Sequence, residues 1–574
     1  MEPSAPEKED VGRPRRVAFF TLGCKVNQQE TAALQELFRE RGYEIVGFDS
    51  PAEVYIINTC TVTHLADHKS RQMIRRAVGR RPCPADADGT PTQEARGGAA
   101  VTAVVGCYAQ TAPEEVLSLG VDVLVGTQDR GRIVDLVEQA ARDQGSEARG
   151  RRPEESEKHM GKNLTPGLRP PACAPACFPP PPGLQSGLNA ASEASPQAES
   201  TAAHRECGAQ ERAQRAPAKP QRRPSDSGAA PSTDTAGDTP VTARHWCGAA
   251  LCIVSPLSEA AGFEELPIPR PRNRTRAFLK IEDGCDQYCS YCIVPFARGP
   301  VRSLRPELAL RRLEELLAAG FREVVLTGVH TSAYGRDLAD GVNLASLLRL
   351  LLQLPGEFRL RLSSVEPAEA PDELLDVLAS PRICRHLHLP LQSGDDEILA
   401  LMGRSYRAAD YGDLFHRVHE RLPGVAVAAD VIVGFPGETD LRFENTYRFI
   451  ASLPFRDLHV FKYSPRPGTR AAELPGQVTP AAKDERSSRL RRLADEQAAA
   501  FATRFIGQTL PVLVERQARP APGRSGCWDG LSDNYLRIVF PAPAGSTGLQ
   551  GSLVQVRALK RLEGDTLYGE TVDY

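Results

Sequence analysis

At 574 residues the chain is too long for one hydrophobic core, and a formal net charge of -3 with 41% hydrophobic residues describes a soluble globular protein without the basic excess of a dedicated nucleic-acid binder. The acidic start MEPSAPEKED and the lack of an apolar run of spanning length argue against a signal peptide or membrane span, so a cytoplasmic, membrane-free protein is expected. The 14 cysteines fall in spacings that suit metal thiolates in a reducing compartment better than disulfides.

Residues 1–14 read as a flexible tail. Residues 15–144 read as a first domain, because VAFFTLG, EVYIINT, VTAVVG and VDVLVG alternate with amphipathic stretches in the βαβα pattern of a doubly wound parallel sheet, interrupted by a turn-rich insertion at 82–99. Cys24, Cys60 and Cys107 each stand directly after one of these strands. Parallel strands end on one edge of their sheet, so the three thiols should converge as metal ligands although no local motif links them. A lone buried cysteine is inert, but three at equivalent strand ends imply a cluster with one reachable iron.

From 145 to 265 the composition turns to Pro, Ala, Ser, Gly and charge without periodicity, as in RPPACAPACFPPPPGLQSG, which predicts a disordered insert in which only WCGAALCIVSPL packs locally. Cys173 and Cys177 lack metal partners there and read as incidental. Between 266 and 477 six apolar runs recur with helices between them: RAFLKIEDG, REVVLTG, FRLRLSS, RHLHLPLQS, VAVAADVIVGF and DLHVFKYS. Six β/α units predict a partial, open-sided parallel barrel. Residues 478–508 read as a connecting helix, and 509–574, with short strands and Gly/Pro turns, as a small β-barrel.

After the first barrel strand, IEDGCDQYCSYCIVPFARG sets Cys285, Cys289 and Cys292 in the spacing CxxxCxxC. Three thiolates hold three irons of a [4Fe–4S] cube and leave the fourth open. A structural zinc knuckle or an electron-transfer cluster would need a fourth ligand nearby, and neither a fourth Cys nor a His lies in this loop.

This loop and the six-unit barrel resemble the radical S-adenosylmethionine enzymes. The resemblance implies that the open iron chelates the cofactor, that one electron cleaves it to a 5′-deoxyadenosyl radical, and that Cys285, Cys289 and Cys292 carry the catalytic cluster. It places cofactor-side or substrate-side residues at the C-terminal strand edges: Gly328 in LTGVH, Ser363 and Glu366 in SSVEP, Gln392 in LPLQSG and Asp430 in DVIVGFPGET. With LGCKVNQ, NTCTVT and VGCYAQ added, the chain resembles the methylthiotransferases, in which such an N-terminal domain precedes the radical barrel and a small TRAM barrel follows. That implies two [4Fe–4S] clusters, the second serving sulfur transfer, and an electron donor such as flavodoxin or ferredoxin acting on a monomer.

Lys25 after the first cysteine and DGCDQYCSYCIVPFARG resemble the branch that acts on threonylcarbamoyladenosine in tRNA, at position 37 beside the anticodon. The other branches act on isopentenyladenosine in tRNA or on a ribosomal-protein aspartate, and an idle iron–sulfur or zinc RNA-binding protein is the alternative from another class. Residues 509–574 hold seven Lys or Arg against seven Asp or Glu, so the terminal barrel is no basic stripe. Lys69, Arg71, Arg75, Arg76, Arg80 and Arg81, and Arg270, Arg272, Arg274 and Arg276, are the better phosphate candidates. The substrate carboxylate asks for a cation, with Arg298 and Arg302 as candidates.

Overall fold

The computed structural model describes residues 15–80, 100–150, 250–257, 262–269, 274–339, 341–518, 526–542 and 548–572, with side chains only to 144 in the first long stretch after 100. Outside them lie the tail, the whole 82–99 insertion, the bulk of the 145–265 insert with Cys173 and Cys177, and Arg81, Arg270 and Arg272.

The four strands expected in the first domain become six: β1 (Arg16–Thr21), β2 (Glu44–Val46), β3 (Val54–Thr59), β4 (Val101–Gly106), β5 (Val123–Val125) and β6 (Leu251–Ile253). All pair in parallel, in the order β2-β1-β3-β4-β5-β6. Every residue of β3 and β4 is buried, as a parallel sheet covered on both faces requires. Leu34, Phe38 and Val137 pack on one face, and Ile74, Tyr108 and Val116 on the other.

The strand β6 corrects the predicted insert. Leu251 donates its N–H to the Asp122 carbonyl at 2.8 Å, and Gly126 donates to the Ile253 carbonyl at 2.9 Å, so the chain returns to its first domain before entering the barrel. Glu264 then pairs with Arg130, at 2.6 Å. The first domain is therefore completed from both sides of the insert.

The barrel strands are β7 (Arg276–Lys280), β8 (Glu282–Asp283), β9 (Arg302–Ser303), β10 (Glu323–Thr327), β11 (Arg359–Leu362), β12 (His386–His388), β13 (Ala426–Val433) and β14 (Asp457–Lys462). β7-β10-β11 and β12-β13-β14 form two parallel sheets joined by a bridge between Leu360 and Ile383, while β8 and β9 pair beside them. Alternation along the strands separates two faces. Leu279, Val324, Leu360, Val427, Ala429 and Leu458 join the helices in the main core, whereas Lys280, Arg361, Asp430 and His459 lie on the opposite, lumen-side face.

The C-terminal residues form a closed five-stranded barrel of β15 (Thr509–Gln517), β16 (Cys527–Ser532), β17 (Arg537–Pro541), β18 (Leu553–Arg561) and β19 (Leu567–Thr571), reached through the helix Pro480–Thr503. It docks under the early ends of the radical-barrel strands. Arg359 donates to the Leu531 carbonyl and Arg361 to that of Asp533, both at 2.9 Å, and the His386 ring lies 4.3 Å from that of Tyr535. Burial pushes Glu323 up, but Arg361 and Arg359 outweigh it and hold its carboxyl at about 2.

The first domain meets the barrel through Glu30 on the helix Lys25–Glu40. Fully buried, Glu30 pairs with Arg130 at 2.5 Å, Arg298 at 2.8 Å and Lys280 at 3.1 Å, while Asp283 adds a second carboxylate to the same cations. Burial pushes the Glu30 carboxyl up, yet Arg130, Arg298 and Lys280 together hold it well below the usual range. A depressed carboxylate contributes stability that is full above its unfolded value near 4.5 and is lost as pH falls below it. Glu30→Gln should therefore cost about 3–5 kcal/mol, read as a lower Tm at pH 7, because it leaves three cations buried around a neutral group. The gap between wild type and variant should shrink below pH 4; an unchanged melting curve would remove Glu30 as the domain tie.

Candidate active site

The register of the first sheet brings its cysteines together. Thr21 stands opposite Asn58 and Thr59 opposite Gly106, so the chains leading to Cys24, Cys60 and Cys107 leave neighbouring strands on one edge. A Cβ added at Gly23, where φ is +106°, would lie 3.0 Å from Cys60 Cβ and 3.2 Å from its Sγ. Asn27 ties the loops: its Nδ2 donates to the carbonyls of Leu22 and Thr59 at 2.8 and 2.9 Å, its Oδ1 accepts from Arg298 at 2.8 Å, and Cys24 Sγ lies 3.7 Å from the same oxygen.

The second set sits on the far side of a short helix. Cys285 follows β8, and Val294, which opens the helix Val294–Arg298, donates its N–H to Cys292 Sγ at 3.4 Å. That helix packs on Cys107–Thr111, and Thr127 donates to the Ala297 carbonyl at 2.7 Å. The helix Val294–Arg298 thus connects the Cys292 loop to the segment that begins with Cys107. Around the barrel sulfurs, Arg404 reaches Cys289 Sγ at 3.3 Å while it pairs with Glu366, and His330 Nδ1 lies 3.8 Å from Cys285 Sγ.

All six cysteines are free thiols. Burial pushes Cys107, Cys285 and Cys292 up to about 12, and Cys60 upward as well, with the neighbouring cysteines adding to the rise. Such thiols stay neutral unless a strong local positive charge offsets their desolvation, which is what iron supplies.

The strand-end residues separate into two levels. Gly328 closes on Glu282, where an added Cβ would fall 2.5 Å from Oε2, and His330 N–H donates to that same oxygen at 2.6 Å. Burial lifts the Glu282 carboxyl to about 8, so this carboxyl is mostly uncharged at neutral pH. Glu366 joins the cluster loop through Arg404, a residue that no local motif announces. Ser363 is buried with its Oγ unpartnered. Gln392 adopts a left-handed φ of 65° and donates its N–H to the Asp430 carbonyl at 2.8 Å. Asp430 itself faces His388 and His459 rather than the cluster.

Burial corrects the expectation for the substrate carboxylate's partners. Arg298 and Arg302 are 2% and 3% exposed and consumed by Glu30, Asp283, Asn27 and backbone carbonyls, so neither is free to take a substrate carboxylate. In the proposed phosphate patches, Arg71 pairs with Glu115, Arg76 and Arg80 pair with Asp49, and Arg276 pairs with Glu515. Lys69 and Arg75 stay exposed, and Arg274 donates to Gln28 at 3.3 Å and lies over the Phe278 ring.

The radical SAM superfamily model matches residues 279–450, and the model of uncharacterized protein family UPF0004 matches 16–126. A threonylcarbamoyladenosine tRNA methylthiotransferase of Bacillus subtilis is 36% identical over 95% of this chain and 94% of its own length; that of Aquifex aeolicus is 30% identical over 91% and 96%. The chain belongs to this methylthiotransferase family. A tRNA-2-methylthio-N(6)-dimethylallyladenosine synthase of Moorella thermoacetica is 39% identical over 56% of this chain and 71% of its own.

Methylthiotransferases of this family hold S-adenosylmethionine and two [4Fe–4S] clusters. Anaerobic reconstitution should load about eight irons per chain. Cys285→Ala should abolish deoxyadenosine release, whereas Cys24→Ala should retain it and lose methylthiolation. Identical behaviour of the two variants in a deoxyadenosine-release assay would overturn the division of roles.

Proposed function

We propose that the protein methylthiolates C2 of N6-threonylcarbamoyladenosine at position 37 of tRNA, beside the anticodon, giving the 2-methylthio derivative. The observation that carries this reading is the match to threonylcarbamoyladenosine methylthiotransferases along nearly the whole chain, through all three modules. The dimethylallyladenosine synthase of Moorella matches at similar identity but across about half of the chain, which makes the isopentenyl substrate the second reading.

The C2–H of adenosine is too weakly acidic for a general base, which supplies only modest factors. The bound cofactors supply radical removal of that hydrogen and the sulfur that replaces it. On this reading Cys285, Cys289 and Cys292 hold the catalytic cluster, Cys24, Cys60 and Cys107 the sulfur-side cluster, and Gly328, Ser363, Glu366, Gln392 and Asp430 line the strand ends around cofactor and substrate. Arg404 fixes Glu366 and donates toward Cys289 Sγ. The base has to leave its stack in the single-stranded anticodon loop to reach this depth.

With Arg298 and Arg302 consumed, Lys25 takes the role of partner to the substrate carboxylate. It follows Cys24 directly, is half-buried, and its charge reaches His386 inside the barrel. A flavodoxin- or ferredoxin-type donor, a monomeric state and a cytoplasmic location complete the proposal; no described helix is long and apolar enough to cross a membrane.

Nucleoside mass spectrometry tests the substrate. Purified enzyme should convert threonylcarbamoyl-tRNA and leave isopentenyl-tRNA unchanged, and Lys25→Met should raise KM for the former by about tenfold or more, the loss of one charge-assisted contact. Methylthiolation of the isopentenyl form alone would move the protein to the other branch.

A further inference from the structure

On the lumen face of the barrel, His388 of β12, Asp430 of β13 and His459 of β14 come together from three neighbouring strands. Asp430 and His459 are direct partners in the β13–β14 register, and His388 stands beside Ala428, which shares the lumen-side parity of Asp430. His388 Nε2 lies 3.0 Å and His459 Nδ1 3.1 Å from the same oxygen, Asp430 Oδ1, and the three ligand atoms all fall within 4.8 Å of one another. We propose that these residues form a third metal site, for one divalent transition-metal ion.

Three features beyond proximity support it. Metal-bound imidazoles usually anchor their second ring nitrogen, and both do so here: His388 Nδ1 lies 2.8 Å from Ser364 Oγ, and His459 Nε2 lies 3.5 Å from Asp457 Oδ2. Asp430 and Asp457 bring two carboxylates to the two imidazoles. Spacings near 3 Å between donor atoms are also those of neighbouring ligands at metal–ligand bonds of about 2.0–2.2 Å.

The donor set selects the class of ion. Two imidazoles and one carboxylate suit zinc, iron(II), cobalt or manganese, and offer no thiolate for a cluster. Three protein ligands leave a coordination position open toward the lumen, as in catalytic rather than structural sites. The site does not depend on which nucleoside the enzyme modifies.

The test uses the holoenzyme with both clusters assembled anaerobically, so that the six thiols are already occupied. Titration with Mn2+ followed by electron paramagnetic resonance, and with Zn2+ by equilibrium dialysis, should show about one saturable equivalent, tighter for Zn2+ than for Mn2+. Asp430→Ala and His388→Ala should each weaken Zn2+ binding by about tenfold or more, the size of loss seen when a ligand or its support is removed, while iron stays at about eight per chain. Binding that is absent in the wild type, or unchanged in both variants at full iron content, overturns the proposal.

Discussion

Everything about this active site depends on one buried carboxylate being surrounded by cations contributed by two domains. Glu30 belongs to the helix that begins right after Cys24, Arg130 to the same domain, and Lys280 and Arg298 to the barrel. A buried charge is expensive unless it is paired and hydrogen-bonded, so once Glu30 is inside, the orientation of the two domains becomes strongly constrained. Arg298 also donates to Asn27, which sits against Cys24, and lies at the end of the helix that follows Cys292. The ion pairs that hold the domains together therefore set where one cysteine triad stands relative to the other.

The same logic explains why arginines near the cluster loop make poor substrate ligands. Guanidinium groups suit buried, multiply bonded sites because they stay charged and present several donors. In this chain Arg298, Arg302 and Arg130 are spent on architecture, and Arg359 and Arg361 are spent on the terminal barrel. Directly after Cys24 the helix start carries a lysine, Lys25.

The sequence made legible whatever is written in local periodicity or in strand order. CxxxCxxC is contiguous, and Cys24, Cys60 and Cys107 could be brought together without coordinates because parallel strands share an edge. β2 goes unread, and β6 reads only as local packing within WCGAALCIVSPL, for a physical reason: three residues carry too little alternation to stand out, and β6 follows a long stretch of Pro, Ala and Ser that masks its return to the sheet. Arg404, Glu30 and the His388–Asp430–His459 group were illegible because each depends on contacts between residues 29 to 268 positions apart. No window of sequence contains such a pair.

The terminal barrel shows what its neutral charge is for. Ala426, at the start of β13, is buried among Phe501, Phe505 and Leu536, and Arg385 pairs with Asp533 at 2.6 Å, so the early ends of the lumen strands are plugged by this module. A domain that buries its partners' arginines has to present carboxylates and carbonyls to them, which removes the basic excess expected of an RNA-binding barrel. With that end closed and the first domain tied along β7 by Glu30 and Lys280, the C-terminal strand ends, where both cysteine sets lie, remain as the side from which a nucleotide can approach.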